Sequence, residues 1–338
     1  MKEINLNEKY NMKVVKGEEK MSTENKILML YRCETPLHVG SGDEMGIVDL
    51  PIQREKHTGF PKMEASGIKG VFRDFFEKKI KENEVSKNDI KALFGSSEES
   101  DNQTEKAEAG GLIFTDARLL LFPVKAGKDV FRWITCPYVL QRFARERNLT
   151  YKEKELGDNS DMKKEKILTN LENGSVYEIK SQIGVNQMTR RISLDEFQFE
   201  VKGIIESNLL EIVEGAMPSD YLTEKLNKGI VLVSDEIFSY FTEMGTQVDT
   251  RIRIGENGVV VDGALFTEES LPEESILYSI VEGWKTGVLE KFNQLFPINE
   301  DFWMQFGGNT TIGKGITQVH IYDKKADKDS TEDKSNIV

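Results

Sequence analysis

The chain has 338 residues, enough for one large domain or two small ones. Its 45 Lys and Arg against 58 Asp and Glu give a net charge of −13, so any contact with nucleic acid requires a local basic patch. Its two cysteines are too few for a disulfide framework or a cysteine-based zinc site. The lack of a long apolar run or an apolar leader predicts a cytoplasmic protein without a membrane span.

The two ends and one internal stretch differ in composition from the rest of the chain. Residues 1–24 are polar with balanced charges and predict a flexible extension. Residues 323–338 carry a mixed-charge run and predict a disordered tail. Residues 150–190 are charged and weakly patterned, which indicates an insertion. The remaining signals fall within residues 25–322, which we interpret as a single domain.

Secondary-structure signals begin at residue 26. Residues 26–33 (KILMLYRC) form an apolar run that predicts a buried strand. Ser66 is predicted to cap a helix with a mostly apolar stripe. Ser86-Lys-Asn-Asp89 resembles a capping box for a shorter helix that Gly95 ends.

The rest of the chain mixes strand and helix signals. The most specific one is a hairpin, because β-rich residues 251–254 and 259–265 flank a turn that contains Asn-Gly. Further strands are predicted at 111–124, 194–205, 230–233, 275–281 and 316–322, and further helices at Pro137, after Ser234 and at 287–295. Helices mixed with strands and hairpins indicate an α+β fold.

A glycine-rich loop, GGNTTIGKG, occupies residues 307–315. It nearly matches the phosphate-binding loop of nucleotide hydrolases, but Gly315 stands where Ser or Thr would hold Mg²⁺. A predicted strand follows where such a loop needs a helix, so we reject a nucleotide hydrolase. The alternatives are a glycine-rich turn or a loop whose backbone approaches another backbone or an RNA phosphate closely.

Residues 51–80 form a local basic segment, with seven basic and four acidic residues. Within it, Ser66-Gly-Ile-Lys-Gly70 is predicted to open a helix, so that free amides and Lys69 point the same way. That arrangement can bind a phosphate. The equally supported alternative is that Ser66 only caps the helix and Lys69 is a solvated charge.

Two sequence segments jointly resemble the RAMP superfamily: LHVGSG…GIVDLPIQREKHTGFP…SGIKG in the first half and GGNTTIGKG near the end. Within that superfamily the chain resembles the backbone subunits of type III-B CRISPR (Cmr) complexes, which serve antiviral defence. The match spans about residues 26–322. The resemblance implies a ferredoxin-like, RRM-like palm with insertions and a β-hairpin thumb near residues 249–270.

The same resemblance implies a function and partners. Several copies would stack along a CRISPR RNA, together with other Cmr subunits, and each thumb would kink the duplex between the CRISPR RNA and its target. The complex would cleave the complementary target RNA at regular intervals, as a metal-dependent endoribonuclease. A structural RNA-binding subunit without catalysis is the first alternative, and a histidine-dependent endonuclease that processes CRISPR RNA is the second.

Asp49 occupies the position of the family's catalytic aspartate, in Gly-Ile-Val-Asp-Leu-Pro at residues 46–51. RNA can be cleaved by its own 2′-OH once a displaced nucleotide brings the reacting atoms into line. One carboxylate that holds a hydrated Mg²⁺ or Mn²⁺ can stabilise the developing charge. Asp49 is therefore also the tentative metal ligand. From local sequence alone, a turn residue before Pro51 is the favoured interpretation of Asp49.

Basic, polar and glycine residues of the matched segments are the candidate RNA contacts. They are His38, Gln53, Arg54, Lys56, His57, Ser66, Lys69, Arg73, Arg251, Arg253, Gly307, Gly308, Gly313, Lys314 and Gly315. Packing is the alternative for His38, and pairing with acidic residues across the hairpin is the alternative for Arg251 and Arg253. The acidic residues 266–274 cannot face RNA, and we expect them to contact a neighbouring subunit.

Overall fold

The computed structural model describes residues 26–42, 48–80, 85–96, 108–150, 171, 173–180, 190–255, 257–296 and 302–322. The predicted N-terminal extension and C-terminal tail lie outside the described residues, as does most of the predicted insertion. In the part that is described, no helix has the length and apolar character needed to cross a membrane.

The strands form one large sheet and one separate hairpin. They are β1 (Lys26–Cys33), β2 (Lys62–Met63), β3 (Leu112–Phe114), β4 (Ala117–Ala126), β5 (Val130–Thr135), β6 (Ser175–Lys180), β7 (Arg190–Leu194), β8 (Phe197–Glu206), β9 (Ile230–Leu232), β10 (Gln247–Ile254), β11 (Val260–Ser270), β12 (Ile276–Gly283), β13 (Phe302–Gln305) and β14 (Ile316–Tyr322). The large sheet has the order β13-β14-β1-β12-β4-β5-β9-β6-β8-β7, with β2 beside β4 and β3 beside β12. Its pairs are antiparallel except β5–β9 and β6–β8.

The described residues also contain seven α-helices. They are α1 (Ala65–Ile80), α2 (Lys87–Phe94), α3 (Pro137–Thr150), α4 (Leu209–Glu214), α5 (Asp220–Asn227), α6 (Asp235–Met244) and α7 (Val288–Leu295). The predicted mixture of helices with mainly antiparallel strands is confirmed.

The centre of the sheet is β1, which pairs with β12 on one side and β14 on the other. Seven of its eight residues are buried, as the apolar run predicts. Against this region α1 packs Phe72 and Phe76 on Phe292 and Phe296 of the α7 segment, with ring centroids 5.4–6.3 Å apart. Burial of each ring stabilises the fold by about 1.5–3 kcal/mol, so this cluster holds α1 in place.

Several local predictions are confirmed and one is wrong. Ser86 and Asp89 form the predicted capping box at the start of α2. Ser66, however, is not a cap: α1 begins one residue earlier, at Ala65, whose amide donates to Asp116 Oδ1 at 3.0 Å. A carboxylate from a distant part of the chain therefore takes the place that local sequence assigned to the Ser66 hydroxyl.

Short elements without a local signal were missed. The strands β5 and β13 and the helices α4 and α5 were not predicted. β6 lies within the segment interpreted as an insertion, yet it pairs with both β8 and β9 inside the large sheet. Strands of three to six residues carry too few positions to establish a period, which is why only their pairing reveals them.

The predicted hairpin is present as β10 and β11, outside the large sheet. Its turn is closed by the amide of Gly255, which donates to the Val259 carbonyl oxygen at 2.9 Å. Directly paired residues share a face of the hairpin. We call one side the Asp49 face (Val248, Thr250, Ile252, Leu265, Thr267, Glu269) and the other the glycine-loop face (Asp249, Arg251, Phe266, Glu268, Ser270).

Candidate nucleic-acid interface

The root of the hairpin is held between two segments that carry predicted site residues. On one side, the amide of Leu50 donates to the Thr267 carbonyl oxygen at 3.0 Å, and the amide of Glu269 donates back to Leu50. On the other side lies the glycine loop, residues 307–315, anchored by the Gly308 amide to the His38 carbonyl oxygen at 2.9 Å. The fold thus places Asp49, the hairpin and the glycine loop within one site.

Asp49 is exposed and is bound to the hairpin through Thr267. Its carboxylate oxygen Oδ2 accepts hydrogen bonds from the Thr267 backbone amide at 2.7 Å and from the Thr267 hydroxyl at 2.9 Å. The amide of Asp49 donates in turn to Thr267 Oγ1 at 3.0 Å. These hydrogen bonds hold the pKa of Asp49 below its usual value, so the carboxylate is ionised at neutral pH.

The carboxylate of Asp49 has the chemistry to bind a divalent ion, but not as part of a cage. In the described part of the chain, no group of three or more His, Cys, Asp or Glu side chains is placed to hold a metal ion. Mg²⁺ is commonly bound by one or two carboxylates while it keeps several waters and contacts substrate phosphates. The residues present therefore fit an ion that Asp49 and RNA phosphates hold jointly.

The Asp49 face of the hairpin is apolar on both sides of Thr267. Val248, Ile252 and Leu265 all expose large side chains, with Leu265 exposed by 65%. Exposed apolar surface of this kind is typical of an interaction site. Because its aliphatic side chains cannot pair with phosphates, it is suited to contact bases.

A groove of about 550 Å³ continues this face toward the end of α6. Val48, Pro51, Met244 and Val248 supply its apolar walls, and Val48 directly precedes Asp49. The exposed apolar surface therefore extends from the hairpin past Asp49 into a concave region.

The glycine-loop face is polar and its charges are paired. Lys314 is 6% exposed, and its Nζ lies 2.6 Å from Glu268 Oε1, 2.8 Å from Asp249 Oδ2 and 2.8 Å from Ser270 Oγ. Arg251 lies 3.4 Å from the same Glu268 oxygen. The ammonium group of Lys314 is therefore buried among hairpin carboxylates, and its contact with RNA stays a prediction. For Arg251, the alternative of cross-strand pairing is the one observed.

The side chain of Arg54 also makes its hydrogen bonds within the protein. Its guanidinium donates to Glu269 Oε1 at 2.5 Å and to the carbonyl oxygens of Gly59 and Thr242 at 2.8 and 3.2 Å. Glu269 also accepts from the Ile52 amide at 3.0 Å. Arg54 thus joins the hairpin to the segment before α1, and its contact with RNA stays a prediction.

The glycine loop is shaped by backbone contact. At Gly307, with φ of 72°, a Cβ would lie 2.1 Å from the His38 carbonyl oxygen, and at Gly315 a Cβ would lie 2.0 Å from the Phe306 carbonyl oxygen. These two glycines support the close-approach alternative, with backbone as the partner. No such contact constrains Gly308, or Gly313, where a Cβ would meet nothing within 4 Å among the described residues.

His38 and Gln53 have structural roles. The His38 ring is 8% exposed, and its Nδ1 lies 2.6 Å from the Glu269 carbonyl oxygen, so the packing alternative is the one observed. Gln53 accepts from the Glu64 amide at 2.8 Å and donates to the Gly40 carbonyl oxygen at 3.2 Å. Both side chains support the loops around Asp49.

The other candidates lie in the segment before α1 and within α1 itself, and most of them are accessible. Lys56 and Ser66 are exposed, as is His57, which lies 3.0 Å from the Tyr138 hydroxyl. Lys69 is partly buried, and both its burial and the neighbouring Arg73 lower the pKa of its ammonium group. The Arg73 guanidinium pairs with Glu77 at 2.7 Å. The side chain of Arg253 lies outside the described residues.

Sequence reasoning missed Thr267, Glu268 and Glu269, which contact Asp49, Lys314 and Arg54 respectively. They were grouped into an acidic segment expected to contact a neighbouring subunit. The two glutamates are instead buried and paired within the chain. Local sequence carried no signal for them, because both glutamates lie beyond the predicted strand 259–265 and only the structure extends β11 to Ser270.

Comparisons with known proteins identify the family of the chain. A family model described as the RAMP superfamily matches residues 30–318. The CRISPR system Cmr endoribonuclease Cmr4 of Pyrococcus furiosus is 33% identical over 308 residues, which are 85% of this chain and 92% of that protein. Among solved structures, oligomeric Cmr4 from the same organism has a TM-score of 0.60 at 25% identity, covering 88% of this chain and 98% of that one.

A complex structure is similar at lower identity. A chain of the type III-B Cmr-beta complex bound to cognate target RNA has a TM-score of 0.66 at 22% identity. The match covers 88% of this chain and 96% of that chain. At this identity the likeness shows a shared fold.

Proposed function

We propose, on the premise that this chain belongs to the RAMP superfamily, that it is a repeated backbone subunit of a type III-B CRISPR ribonucleoprotein. It binds CRISPR RNA and cleaves complementary target RNA at regular intervals. Its partners are the two RNAs, further copies of itself and other Cmr subunits. The strands around β1 form the ferredoxin-like palm and the hairpin forms the thumb. The protein works in the cytoplasm, where reducing conditions suit its two free, buried cysteines.

One observation carries the catalytic part of this proposal: an exposed, ionised carboxylate lies at the root of a protruding hairpin with an apolar face. An apolar hairpin face can displace a nucleotide from a duplex, and the displaced nucleotide can bring its 2′-oxygen into line with the scissile phosphate. Asp49 stands where that displacement occurs. Each copy in a row would act once, which gives cleavage at regular intervals.

The paired charges around Asp49 make an RNA backbone tolerable there. Glu268 and Glu269 are next to the site, but Lys314 and Arg54 neutralise them. The phosphates would then be contacted from the accessible side, by Lys56, by His57 and by the start of α1. When bound, a divalent ion such as Mg²⁺ or Mn²⁺ would neutralise the negative charge that develops on the oxygens of the scissile phosphate. Asp49 holds its place through Thr267.

The two alternatives predict different behaviour. A histidine-dependent processing enzyme is disfavoured because His38 is buried and its ring is bonded to the hairpin backbone. A structural subunit without catalysis would bind both RNAs and leave the target intact. That possibility is decided by the experiment below.

The test is target cleavage by the reconstituted complex, with wild type, Asp49→Ala and Asp49→Asn compared with and without Mg²⁺. Asp49→Asn keeps the size of the side chain and removes its charge. All complexes must first assemble and bind target equally. We expect regular cleavage by wild type that requires Mg²⁺ and is lost in both variants. Cleavage by the variants at the wild-type rate would show that Asp49 is not catalytic, and an uncleaved target with wild type would establish a structural subunit.

A further inference from the structure

We propose that Thr267 is a positioning residue that fixes the reactive carboxylate of Asp49 to the hairpin. This inference rests on the proposed function, because it assumes that Asp49 acts on RNA. It concerns a residue in the thumb strand β11, far from Asp49 in sequence.

The contact between the two residues is a closed arrangement of hydrogen bonds. The Thr267 hydroxyl donates to Asp49 Oδ2 at 2.9 Å and accepts from the Asp49 amide at 3.0 Å, and the Thr267 amide donates to Oδ2 at 2.7 Å. One oxygen of the carboxylate is thereby held at a defined position. Among the described residues, no hydrogen bond is made to the other oxygen, Oδ1, which is available toward solvent.

The threonine side chain is itself well held. Threonine is β-branched, so its χ1 rotation in a strand is restricted. The two residues that follow it, Glu268 and Glu269, fix β11 to Lys314 and Arg54 from opposite faces. Thr267 is therefore a rigid reference point. A carboxylate attached to it keeps a fixed position relative to a nucleotide that the same hairpin displaces.

This arrangement gives the Thr267 hydroxyl a role that strand formation does not require. The backbone pairing of β11 with β10 and with Leu50 uses the amides and carbonyl groups. Among the described residues, the hydroxyl forms hydrogen bonds only with Asp49, where it orients the carboxylate. Its removal leaves the Thr267 amide as the one remaining donor to Oδ2 among the described residues, so the carboxylate gains freedom to rotate.

The chain offers a control away from the hairpin. Thr223 lies in α5, outside the Asp49 face and the candidate RNA contacts. It is half-buried and makes no side-chain hydrogen bond with the described residues. Thr223→Val therefore removes a threonine hydroxyl without touching Asp49 or the hairpin.

The experiment measures single-turnover cleavage in the assembled complex at saturating target and neutral pH. It compares wild type, Thr267→Val, Thr267→Ser, Thr223→Val and Asp49→Ala. We expect Thr267→Val to cleave about 10- to 100-fold more slowly, the range typical of residues that orient a reactive ligand. Thr267→Ser should recover most of the rate, and Thr223→Val should match wild type. Recovery by Thr267→Ser, which restores the hydroxyl but not the methyl group, is a result that a merely structural role would not give.

The outcomes separate this inference from the proposed function. If Asp49→Ala is inactive but Thr267→Val cleaves at the wild-type rate, the positioning role is wrong and the function stands. Equal loss in Thr267→Val and Thr267→Ser would also overturn it, because the hydroxyl would not be the cause. If Asp49→Ala cleaves normally, both proposals fail. Should Thr267→Val fail to assemble, Thr267→Ala against Thr267→Ser decides by the same criteria.

Discussion

Replacement of Lys314 by methionine should destabilise the protein far more than a surface lysine change. Its ammonium group is buried at the junction of the glycine loop and the hairpin, between Glu268, Asp249 and Ser270. Methionine has a similar length but cannot neutralise either carboxylate. Glu268, which is 3% exposed, would then keep its charge in a buried position.

The size of the expected loss of stability depends on the contacts that Glu268 retains in the variant. Removal of one partner of a buried ion pair costs about 3–5 kcal/mol. Glu268 would still accept from the Asn309 side chain at 2.5 Å and would still have Arg251 at 3.4 Å. We therefore expect the lower end, a loss of about 3 kcal/mol in the free energy of unfolding at neutral pH, which for a chain of this size is a decrease of roughly 4 °C in Tm.

The loss should depend on pH in a defined direction. Burial raises the pKa of Glu268, but hydrogen bonds from Lys314 and Asn309 outweigh it, so the pKa lies below its usual value. A carboxyl group of this kind stabilises the wild type above its unfolded pKa and loses that contribution as pH falls through the folded pKa. Without Lys314 the pKa of Glu268 rises, so the penalty is present at neutral pH and disappears as Glu268 takes up a proton.

The assay is thermal and denaturant unfolding of the isolated subunit at pH 7 and near pH 4, with Lys125→Met as the control. Lys125 is exposed, and its change should alter stability by about 0.5 kcal/mol or less. A loss below about 1 kcal/mol for Lys314→Met, or a loss that is equal at both pH values, would contradict the structural role assigned to this lysine.

Two further contrasts separate structural residues from RNA contacts. Gly307→Ala should lower the free energy of unfolding by about 1–3 kcal/mol more than Gly313→Ala. Both glycines have positive φ, but only at Gly307 would the new methyl group meet a backbone carbonyl oxygen. Unfolding midpoints measure the difference, and equal losses of stability in the two variants would contradict it. Arg54→Met should lower stability by about 3 kcal/mol, because it leaves a buried glutamate unpaired, whereas Lys56→Met should leave stability unchanged. Only Lys56→Met should weaken RNA binding and make its salt dependence shallower. If Arg54→Met and Lys56→Met lowered stability equally, the distinction between a structural arginine and an RNA-contacting lysine would be refuted.

The parts of the fold that sequence predicted well have local causes. The hairpin follows from an Asn-Gly turn between β-rich segments, and α2 follows from the Ser86–Asp89 capping box, so both signals lie within a few residues. β1 follows from a continuous apolar run. The start of α1 was misplaced because its first amide is satisfied by Asp116, which no local pattern connects to it.

The candidate site was predicted less well, because the role of a charge depends on distant partners. Arg54 and Lys56 are indistinguishable in a basic segment, yet Arg54 pairs with Glu269, 215 residues away. Lys314 pairs with Glu268, which is 46 residues away. Only the three-dimensional structure shows which cations form ion pairs within the protein. Thr267 carried no signal at all, since an isolated threonine in a strand is ordinary.

The pairing of charges at the hairpin root also constrains how an acidic protein can hold RNA. Two cations in the matched segments, Lys314 and Arg54, form ion pairs with Glu268 and Glu269. We therefore expect the RNA backbone to be held chiefly by other cations, such as Lys56 in the segment before α1, which is exposed, and Lys69 in α1, which is partly exposed. A strand held there would present its bases toward the apolar Asp49 face. On this argument the phosphate contacts and the displacement of a base come from different surfaces that meet at Asp49. Loss of the phosphate contacts should weaken RNA binding, whereas loss of the apolar Asp49 face should slow cleavage.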